Sequence, residues 1–329
     1  VDALKANTTG AESVAVGYHA LLDNTTGSAN VAIGRQALAN NTTGTQNVSV
    51  GFNLYTNTTG DYNTAVGFRA LYLNATTDSN TAIGHEALYN NIAAGNTAVG
   101  KDALNANTTG TENVAMGMDA LKTNTTTGRN TAVGYASLTA NVAANNTGVG
   151  YGALNANTTG AGNIAVGSGA MEINTTGTRN IAIGMNAYNS SDTETDNIAI
   201  GFDAMTTNTA GGNYNIAIGN YALDSLTSGD GNVGIGHNVL IANTTGGENI
   251  AIGKAAMTTT TTGSSNTGIG SEALRLNTTG ATNTAVGSEC LKNNTTANDT
   301  CGVGHRALAN NTEGLGNVAM GRSTLEETT

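Results

Sequence analysis

Asn63-Thr64-Ala65-Val66-Gly67-Phe68-Arg69-Ala70-Leu71 is the stretch that the rest of the chain repeats, and a polar corner that reads Asn-Thr-Thr-Gly follows most copies. The glycine that closes Ala-Val-Gly or Ala-Ile-Gly, which we call the marker glycine and number 0, recurs nineteen times at steps of 16 to 18 residues. The marker glycines are Gly17, Gly34, Gly51, Gly67, Gly84, Gly100, Gly117, Gly134, Gly150, Gly167, Gly184, Gly201, Gly219, Gly236, Gly253, Gly270, Gly287, Gly304 and Gly321. A short fixed period through a whole chain is typical of repeat proteins, so the fold follows from one repeat and its stacking.

The composition indicates a thin core. The 329 residues include 45 Gly and no Trp, with three Phe and ten Tyr. Small side chains suit narrow layers in which backbones approach closely. The absence of Pro fits a backbone whose N–H groups are nearly all needed for hydrogen bonding between strands. Because the repeat runs from end to end without a linker, we expect one elongated repeat domain over residues 1–329. Its incomplete first and last copies predict a segment of a longer fibre protein.

Positions −3 to −1 of the repeat alternate between large and small residues, as in Val31-Ala32-Ile33 and Ile181-Ala182-Ile183. Alternation with a period of two predicts a short β-strand. We expect the large residues at −3 and −1 to face the core, and the small residue at −2 to lie against another backbone or sheet. The Ala-Leu pair at +3 and +4, as in Ala70-Leu71, forms a second apolar anchor, for which we predict a second short strand.

Together these features predict an all-β fold, a parallel β-solenoid or β-roll of about nineteen 17-residue coils. The glycines and the Thr-Thr pair in each repeat leave no room for the paired helices of helical solenoids. Corners such as Asn24-Thr25-Thr26-Gly27 contain the residues of tight turns, and variation in repeat length clusters there, so we expect surface loops at the corners. Most corners also match the acceptor pattern for N-glycosylation.

Position −4 is Asn in seventeen of the nineteen copies. An amide at one height of every coil predicts a stacked ladder of side chains along the solenoid, since stacking satisfies amide donors and acceptors together. A column that binds sugar or metal is the alternative interpretation. The ladder residues are Asn30, Asn47, Asn63, Asn80, Asn96, Asn113, Asn130, Asn146, Asn163, Asn180, Asn197, Asn215, Asn232, Asn249, Asn266, Asn283 and Asn317.

Position +1 carries an aromatic residue in six coils of the first part of the chain and in none afterwards. Aromatic residues on one edge suit packing between protomers, which we favour, or stacking against a sugar or another surface. The predicted contact column consists of Tyr18, Phe52, Phe68, Tyr135, Tyr151 and Phe202.

The sequence shows no constellation typical of catalysis or of cofactor binding. The four His residues lie many coils apart, and the acidic residues at +2 fit a solvated face. The pairs Glu86/Asp102 and Glu272/Glu289 fall on adjacent coils, where they resemble a catalytic dyad or a site for a hard cation, but we favour charged residues on a solvated face. Cys290 and Cys301 are expected to be free thiols, with a bridge between adjacent coils as the alternative. We therefore predict no enzyme activity, no metal site and no cofactor.

Charge and hydropathy exclude two classes of partner. The formal net charge of −11 comes without clusters of Lys and Arg, which argues against nucleic acid. No apolar run approaches the ~20 residues that a membrane-spanning helix needs, so we expect no membrane insertion in this segment.

The Asn-Thr-Ala-Val-Gly and Asn-Val-Ala-Ile-Gly cores resemble the head repeats of YadA-like trimeric autotransporter adhesins. The longer unit, with Ala-Leu and Asn-Thr-Thr-Gly appended, is similar to repeat regions of phage tail-fibre and related bacterial fibre proteins. The family's head repeat is shorter than 17 residues, and no stalk heptads or chaperone domain are visible. The resemblance implies a homotrimeric parallel β-roll that is extracellular, at a cell surface or on a virion, and an end-to-end filament is a further form of self-assembly that it allows. It also implies a stiff spacer with glycan or receptor contact.

Two other functions remain as alternatives. An ice-binding β-solenoid would explain the Thr-rich corners, although flat ice-binding faces carry their Thr on strands rather than in turns. A solenoid enzyme that degrades polysaccharide is the other alternative, although no convergent acidic cluster interrupts the repeat.

Overall fold

The structure is a computed structural model that describes residues 2–208 and 211–327. These residues form strands, turns and bends, and none of them lies in a helix. Among them there is accordingly no long apolar helix of the kind that crosses a bilayer. The chain divides into two compact units, Val1–Gly162 and Asn163–Thr329. Each unit is a parallel β-solenoid, which confirms the predicted all-β fold class.

Every coil contributes one three-residue strand at positions −3 to −1, and we number each coil by its strand. The first unit contains β1 (Val14–Val16), β2 (Val31–Ile33), β3 (Val48–Val50), β4 (Thr64–Val66), β5 (Thr81–Ile83), β6 (Thr97–Val99), β7 (Val114–Met116), β8 (Thr131–Val133) and β9 (Thr147–Val149). The second unit contains β10 (Ile164–Val166), β11 (Ile181–Ile183), β12 (Ile198–Ile200), β13 (Ile216–Ile218), β14 (Val233–Ile235), β15 (Ile250–Ile252), β16 (Thr267–Ile269), β17 (Thr284–Val286), β18 (Cys301–Val303) and β19 (Val318–Met320).

Within each unit, strands consecutive in sequence pair in parallel and in register. Ala65 lies opposite Ala82, for example, and Ala182 lies opposite Ala199. Equivalent positions of successive coils therefore form columns, which confirms that the marker glycine identifies the repeat. Neighbouring strands of a sheet lie about 4.8 Å apart, so each column places like residues at that spacing.

The prediction that Val and Ile at −3 and −1 face the core is wrong. Ala32 and Ala65 at position −2 are fully buried, whereas Ile33 at −1 is 41% exposed. The interior of a coil is filled by Leu at +4, Ala at +3 and buried Asn side chains, which leaves space for little more than a methyl group at −2. The strand therefore turns its small residues inward and its large apolar residues outward.

Compensating changes in side-chain size between positions −2 and +3 support this orientation. Where Gly replaces Ala at −2, a neighbouring interior residue is larger than usual: a Cβ on Gly148 would lie 2.6 Å from Ser137 Oγ, and one on Gly302 would lie 2.6 Å from Cys290 Sγ. Ser137 and Cys290 both stand where most coils have Ala at +3. A well-packed interior keeps its volume constant, so a larger residue at +3 requires a smaller one at −2.

The prediction of a second strand at the Ala-Leu pair is also wrong. The segment forms turns in which the residue at +2 and the Leu at +4 are left-handed, with φ of 56° at Arg69 and 48° at Leu71. Strands require negative φ, so repeated left-handed residues exclude one here. Backbone hydrogen bonds nevertheless continue from coil to coil, since the N–H of Leu71 donates to the carbonyl of Ala87 at 3.0 Å.

The marker glycine is required by both backbone conformation and space. Gly67 has a φ of 122°, and a Cβ there would lie 2.6 Å from the carbonyl oxygen of Gly84 in the next coil. Side chains other than hydrogen do not fit such an approach. The column of marker glycines thus lets successive coils stack backbone on backbone.

The Asn column at −4 is buried, except at Asn317 in the last coil, and links successive coils. The backbone N–H of Asn63 donates to Asn47 Oδ1 at 2.9 Å, and Asn63 Nδ2 donates to the carbonyl of Thr77 at 2.8 Å. The same pattern recurs in the second unit, where Asn180 N donates to Asn163 Oδ1 at 2.9 Å. Each side-chain amide therefore accepts from the backbone N–H of the equivalent Asn in the following coil, as Asn63 Oδ1 does from Asn80, and donates to a carbonyl of the corner between them.

The Asn that begins each corner forms a second buried column, which the interpretation of the corners as surface turns missed. Asn41 is fully buried, and its Nδ2 donates to Asn24 Oδ1 at 2.8 Å and to the carbonyl of Gly44 at 2.9 Å. The corner Thr that follows is half-exposed, and the hydroxyl of Thr25 donates to the carbonyl of Thr42 at 3.0 Å. In the folded coil the amide nitrogens of these buried corners are unavailable for N-glycosylation.

Candidate functional site

The six aromatic residues predicted at +1 all lie on the surface. Phe68 is 46% and Tyr151 61% exposed, and Tyr18 and Tyr135 are exposed to a similar degree. Phe52 and Phe202 are half-buried. The column is thus accessible in the single chain to solvent, to a ligand or to another protomer.

The structure brings these rings together in pairs rather than in one continuous stack. The ring centroids of Phe52 and Phe68 are 5.9 Å apart, and those of Tyr135 and Tyr151 are 5.4 Å apart. Tyr18 stacks on His19 within its own turn, with centroids 3.8 Å apart. In the second unit, Phe202 contacts the edge of Tyr221.

A second aromatic column, which the sequence interpretation missed, lies beside Phe52 and Phe68. Tyr72 stacks between Tyr55 and Tyr89, with centroid distances of 5.6 and 5.5 Å. Phe52 contacts both Tyr55 and Tyr72, which joins the two columns. The signal was present in the sequence, because a Tyr follows the repeat Leu in three successive coils.

Arg69 contacts one ring from each of the two aromatic columns. Its guanidinium lies 5.0 Å from the ring centre of Phe68 and 5.9 Å from that of Tyr72, and Nη1 is 3.3 Å from Glu86 Oε1. Cations over aromatic rings are attracted by the negative face of the ring. Coils 3 to 5 therefore carry a pre-organised aromatic surface, which we call the aromatic patch: Phe52, Tyr55, Phe68, Arg69, Tyr72, His85 and Tyr89.

Coil 3 is shorter than every other coil between its marker glycine and its Leu. Gly51-Phe52-Asn53-Leu54 has two residues where the other coils have three. Asn53 fills the interior position, and its Nδ2 donates to the carbonyls of Val50 at 2.7 Å and Gly67 at 3.0 Å, while its Oδ1 accepts from the hydroxyl of Ser49. A buried polar group is tolerated when its hydrogen bonds are satisfied, as they are here. Phe52 and Tyr55 flank this shortened segment, and their ring centroids are 5.9 Å apart.

A groove of about 410 Å³ lies at one end of the aromatic patch, lined by Arg35, Gln36, Phe52 and Phe68. Phe52 and Phe68 form an apolar wall, and Arg35 and Gln36 supply hydrogen-bond donors. Its volume falls within the ~300–1,000 Å³ range of small-molecule sites.

The structure places Glu86 and Asp102 close together, with His85 beside them. The candidate ligand atoms of these three residues lie within 4.8 Å of one another, the one such group among the described residues. Positive charge is already supplied there, since Lys122 Nζ is 3.3 Å and Lys101 Nζ 3.7 Å from Asp102 Oδ2. Ammonium groups at these distances compete with a metal ion for the carboxylate.

Glu272 and Glu289 are bridged by a single cation. Lys292 Nζ lies 2.6 Å from Glu272 and 3.3 Å from Glu289. The hydrogen bond from Lys292 lowers the pKa of Glu272 below its ordinary value. A general acid near neutral pH needs a raised pKa, whereas the pKa of Glu272 is lowered, so this pair does not suit general-acid chemistry.

Cys290 and Cys301 are both free thiols, one in the interior of the coil and the other on its outer surface. Cys290 is buried in the interior, where burial raises the pKa of its thiol to about 11. Cys301 is at position −3 of β18, half-exposed on the outward face of the strand.

Comparison of the chain with protein-family models and with curated proteins gave no match.

Proposed function

We propose that this chain is a structural and adhesive fibre segment that assembles as a homotrimer through the outward faces of its strands. The observation that carries the proposal is the composition of the columns at −3 and −1, which we call the strand face. Across all nineteen coils these two columns contain Val, Ile, Thr, Met and Cys, without one charged residue or His.

Much of this apolar face is open to solvent in the single chain. Exposures of 36% or more occur at Val14, Val16, Ile33, Ile83, Met116, Ile164, Val166, Ile183, Ile250, Ile252, Ile269, Val318 and Met320. Soluble proteins rarely expose contiguous apolar surfaces of this kind unless another surface covers them. Charged side chains occupy other columns of the same coils, such as Arg69 and Glu86 at +2. The chain therefore separates a charged surface from an uncharged one.

A second copy of the chain is the partner that best fits the strand face. The face repeats at a constant spacing along each unit, so an equally periodic surface matches it coil for coil. Soluble homo-oligomers generally close around a symmetry axis, and three copies around one axis would bury all three strand faces together. The resemblance to trimeric adhesin heads and fibre repeats favours three chains over two.

The remaining features of the coils suit a stiff spacer at a cell surface or on a virion. Side-chain hydrogen bonds connect each coil to the next in addition to the backbone hydrogen bonds. They come from the Asn column at −4, from the corner Asn column and from the first Thr of most corners. Satisfied buried networks rigidify the structures that contain them. The aromatic patch then serves as the adhesive contact, facing a glycan or receptor.

Light scattering after size-exclusion chromatography tests the assembly. We expect a mass three times the chain mass of 32.8 kDa at micromolar concentration. Ile83→Lys and Ile183→Lys place a charge on the strand face of each unit and should reduce the mass to that of one chain. Thr59→Lys, on an exposed corner, is the matched control and should leave the trimer intact. A wild-type protein that remains a single chain would end the proposal.

Ice binding is a second candidate that one observation favours. The second Thr of the corner is exposed in successive coils of the second unit, at Thr245, Thr262, Thr279 and Thr296, which are spaced 17 residues apart. Regularly spaced hydroxyl and methyl groups on a rigid edge are the features that this function requires. Inhibition of ice recrystallisation by the wild-type protein, lost when these Thr are replaced by Lys, would favour it over the fibre proposal.

A further inference from the structure

The groove beside Phe52 lies at coil 3, where the repeat departs from its usual length. Coil 3 lacks one residue, and the fully buried Asn53 compensates through hydrogen bonds to the backbone of its own coil and the next. A random deletion in a packed coil would leave a void or unpaired polar groups. Here the polar atoms of Asn53 are hydrogen-bonded, and Phe52 lines a surface groove.

Arg35 provides the electrostatic character of the groove. Its side chain is exposed, and among the described residues it has no carboxylate within ion-pair distance. Arg69, one column away, differs because Glu86 neutralises it. A free guanidinium in a chain of net charge −11 marks a local site for an anion, and guanidinium groups bind carboxylate and sulfate through paired N–H donors.

The backbone around the groove is already paired, which argues against an extended peptide as the ligand. The N–H of Gln36 donates to the carbonyl of Tyr18, and the N–H of Arg69 donates to the carbonyl of Phe52, both at 2.8 Å. Peptides that add to a sheet need free backbone groups at an edge. The ligand must therefore be recognised by the side chains, through ring surfaces, the guanidinium and the Gln36 amide.

We propose that this groove binds an anionic saccharide. The apolar face of a sugar ring packs on Phe68 and Phe52, the carboxylate or sulfate group pairs with Arg35, and the Gln36 amide takes a sugar hydroxyl. This inference rests on the proposed function in that it names the ligand class of the adhesive surface. It does not require the strand face, because the groove belongs to one chain.

Isothermal titration of the full chain tests the proposal with three soluble probes. Oligogalacturonate presents the carboxylate, a sulfated oligogalactose presents the sulfate, and neutral oligogalactose presents neither. We expect binding of at least one anionic probe, with neutral oligogalactose about tenfold weaker or undetectable, since a charge-assisted hydrogen bond accounts for about that factor. The stronger of the two anionic probes shows whether the groove prefers a carboxylate or a sulfate.

Matched variants separate the groove from general charge effects. Arg35→Gln and Phe68→Ala should each weaken binding of the anionic probe about tenfold. Lys254→Gln removes an exposed cation from the same +1 column outside the groove and should leave binding unchanged. Unchanged thermal midpoints would show that the variants are folded.

Four outcomes would overturn the inference: no binding of either anionic probe, equal binding of neutral oligogalactose, wild-type affinity in folded Arg35→Gln, or tighter binding of an acidic peptide than of either saccharide. Light scattering of the same samples keeps the two proposals distinct. A trimer that binds no saccharide contradicts only the groove, and a single chain that binds one contradicts only the assembly.

Discussion

At the scale of single residues, the left-handed Leu at +4 explains a restriction that hydrophobicity alone does not. This column contains Leu, Met and Tyr, and never Val or Ile, although Val and Ile are abundant in the strand positions five and seven residues earlier. Leu71 has a φ of 48° and is fully buried. Left-handed backbone is most costly for β-branched side chains, so the conformation selects against them.

Leu71→Val should therefore destabilise the first unit more than its lost volume explains. We expect about 2–4 kcal/mol, from about 1–2 kcal/mol of conformational cost added to the cost of a smaller buried side chain. Leu71→Met is the control, because it keeps an unbranched side chain and should cost less than about 1.5 kcal/mol. Chemical denaturation of both variants measures the difference. Equal losses for Val and Met would contradict the conformational explanation.

At the scale of the coil, the period of the sequence predicted the strands but not which way they face. Alternation in Val31-Ala32-Ile33 distinguishes two faces, and assigning the larger residues to the core is the usual choice for globular sheets. In this coil the interior is too narrow, because Leu38 and Asn30 already fill it. The volume exchange between positions −2 and +3 was the available signal for the correct orientation.

The Ala-Leu segment was mispredicted for a different reason. Its apolar pair suggests a strand by composition, but its conformation depends on left-handed residues such as Arg69 and Glu86. Non-glycine residues adopt that conformation only when neighbouring coils hold them, and one repeat read alone does not reveal those neighbours. The second aromatic column, which includes Tyr72, was missed because it belongs to this segment.

The pairing of Gly302 with Cys290 gives a direct test of the coil interior. Gly302→Ala should cost about 1–3 kcal/mol, because its Cβ would meet Cys290 Sγ at 2.6 Å. Combining it with Cys290→Ala restores the Ala-Ala arrangement of most coils and should recover most of that loss. A double-mutant cycle by thermal or chemical denaturation measures the coupling. Strictly additive effects would mean that the two positions do not share a core.

At the scale of the whole molecule, the uncharged strand face and the buried Asn columns serve different purposes. The Asn columns stabilise a coil against its neighbours in the same chain, as Asn63 does through Asn47 and Thr77. The strand face contributes little inside the chain, since its side chains point outward. Its freedom from charge along both units is explained if a second copy covers it.

The reactivity of the two cysteine thiols tests whether a second copy of the chain covers the strand face. Burial raises the pKa of Cys290 to about 11, so at pH 8 its thiol is protonated and should react slowly with a thiol reagent. Cys301 lies on the strand face and should react readily in a variant that stays a single chain, such as Ile183→Lys, but slowly in the wild-type trimer. Counting modified thiols by mass spectrometry over time gives both rates. Equal Cys301 rates in the two proteins would show that the strand face is open.

Electron cryo-microscopy of the wild-type protein in solution tests the central claim most directly. We predict three chains around one axis, with the columns that contain Ile83 and Ile183 facing that axis and Phe68 facing solvent. Particles in which these columns face solvent, or in which each chain is separate, would contradict the account.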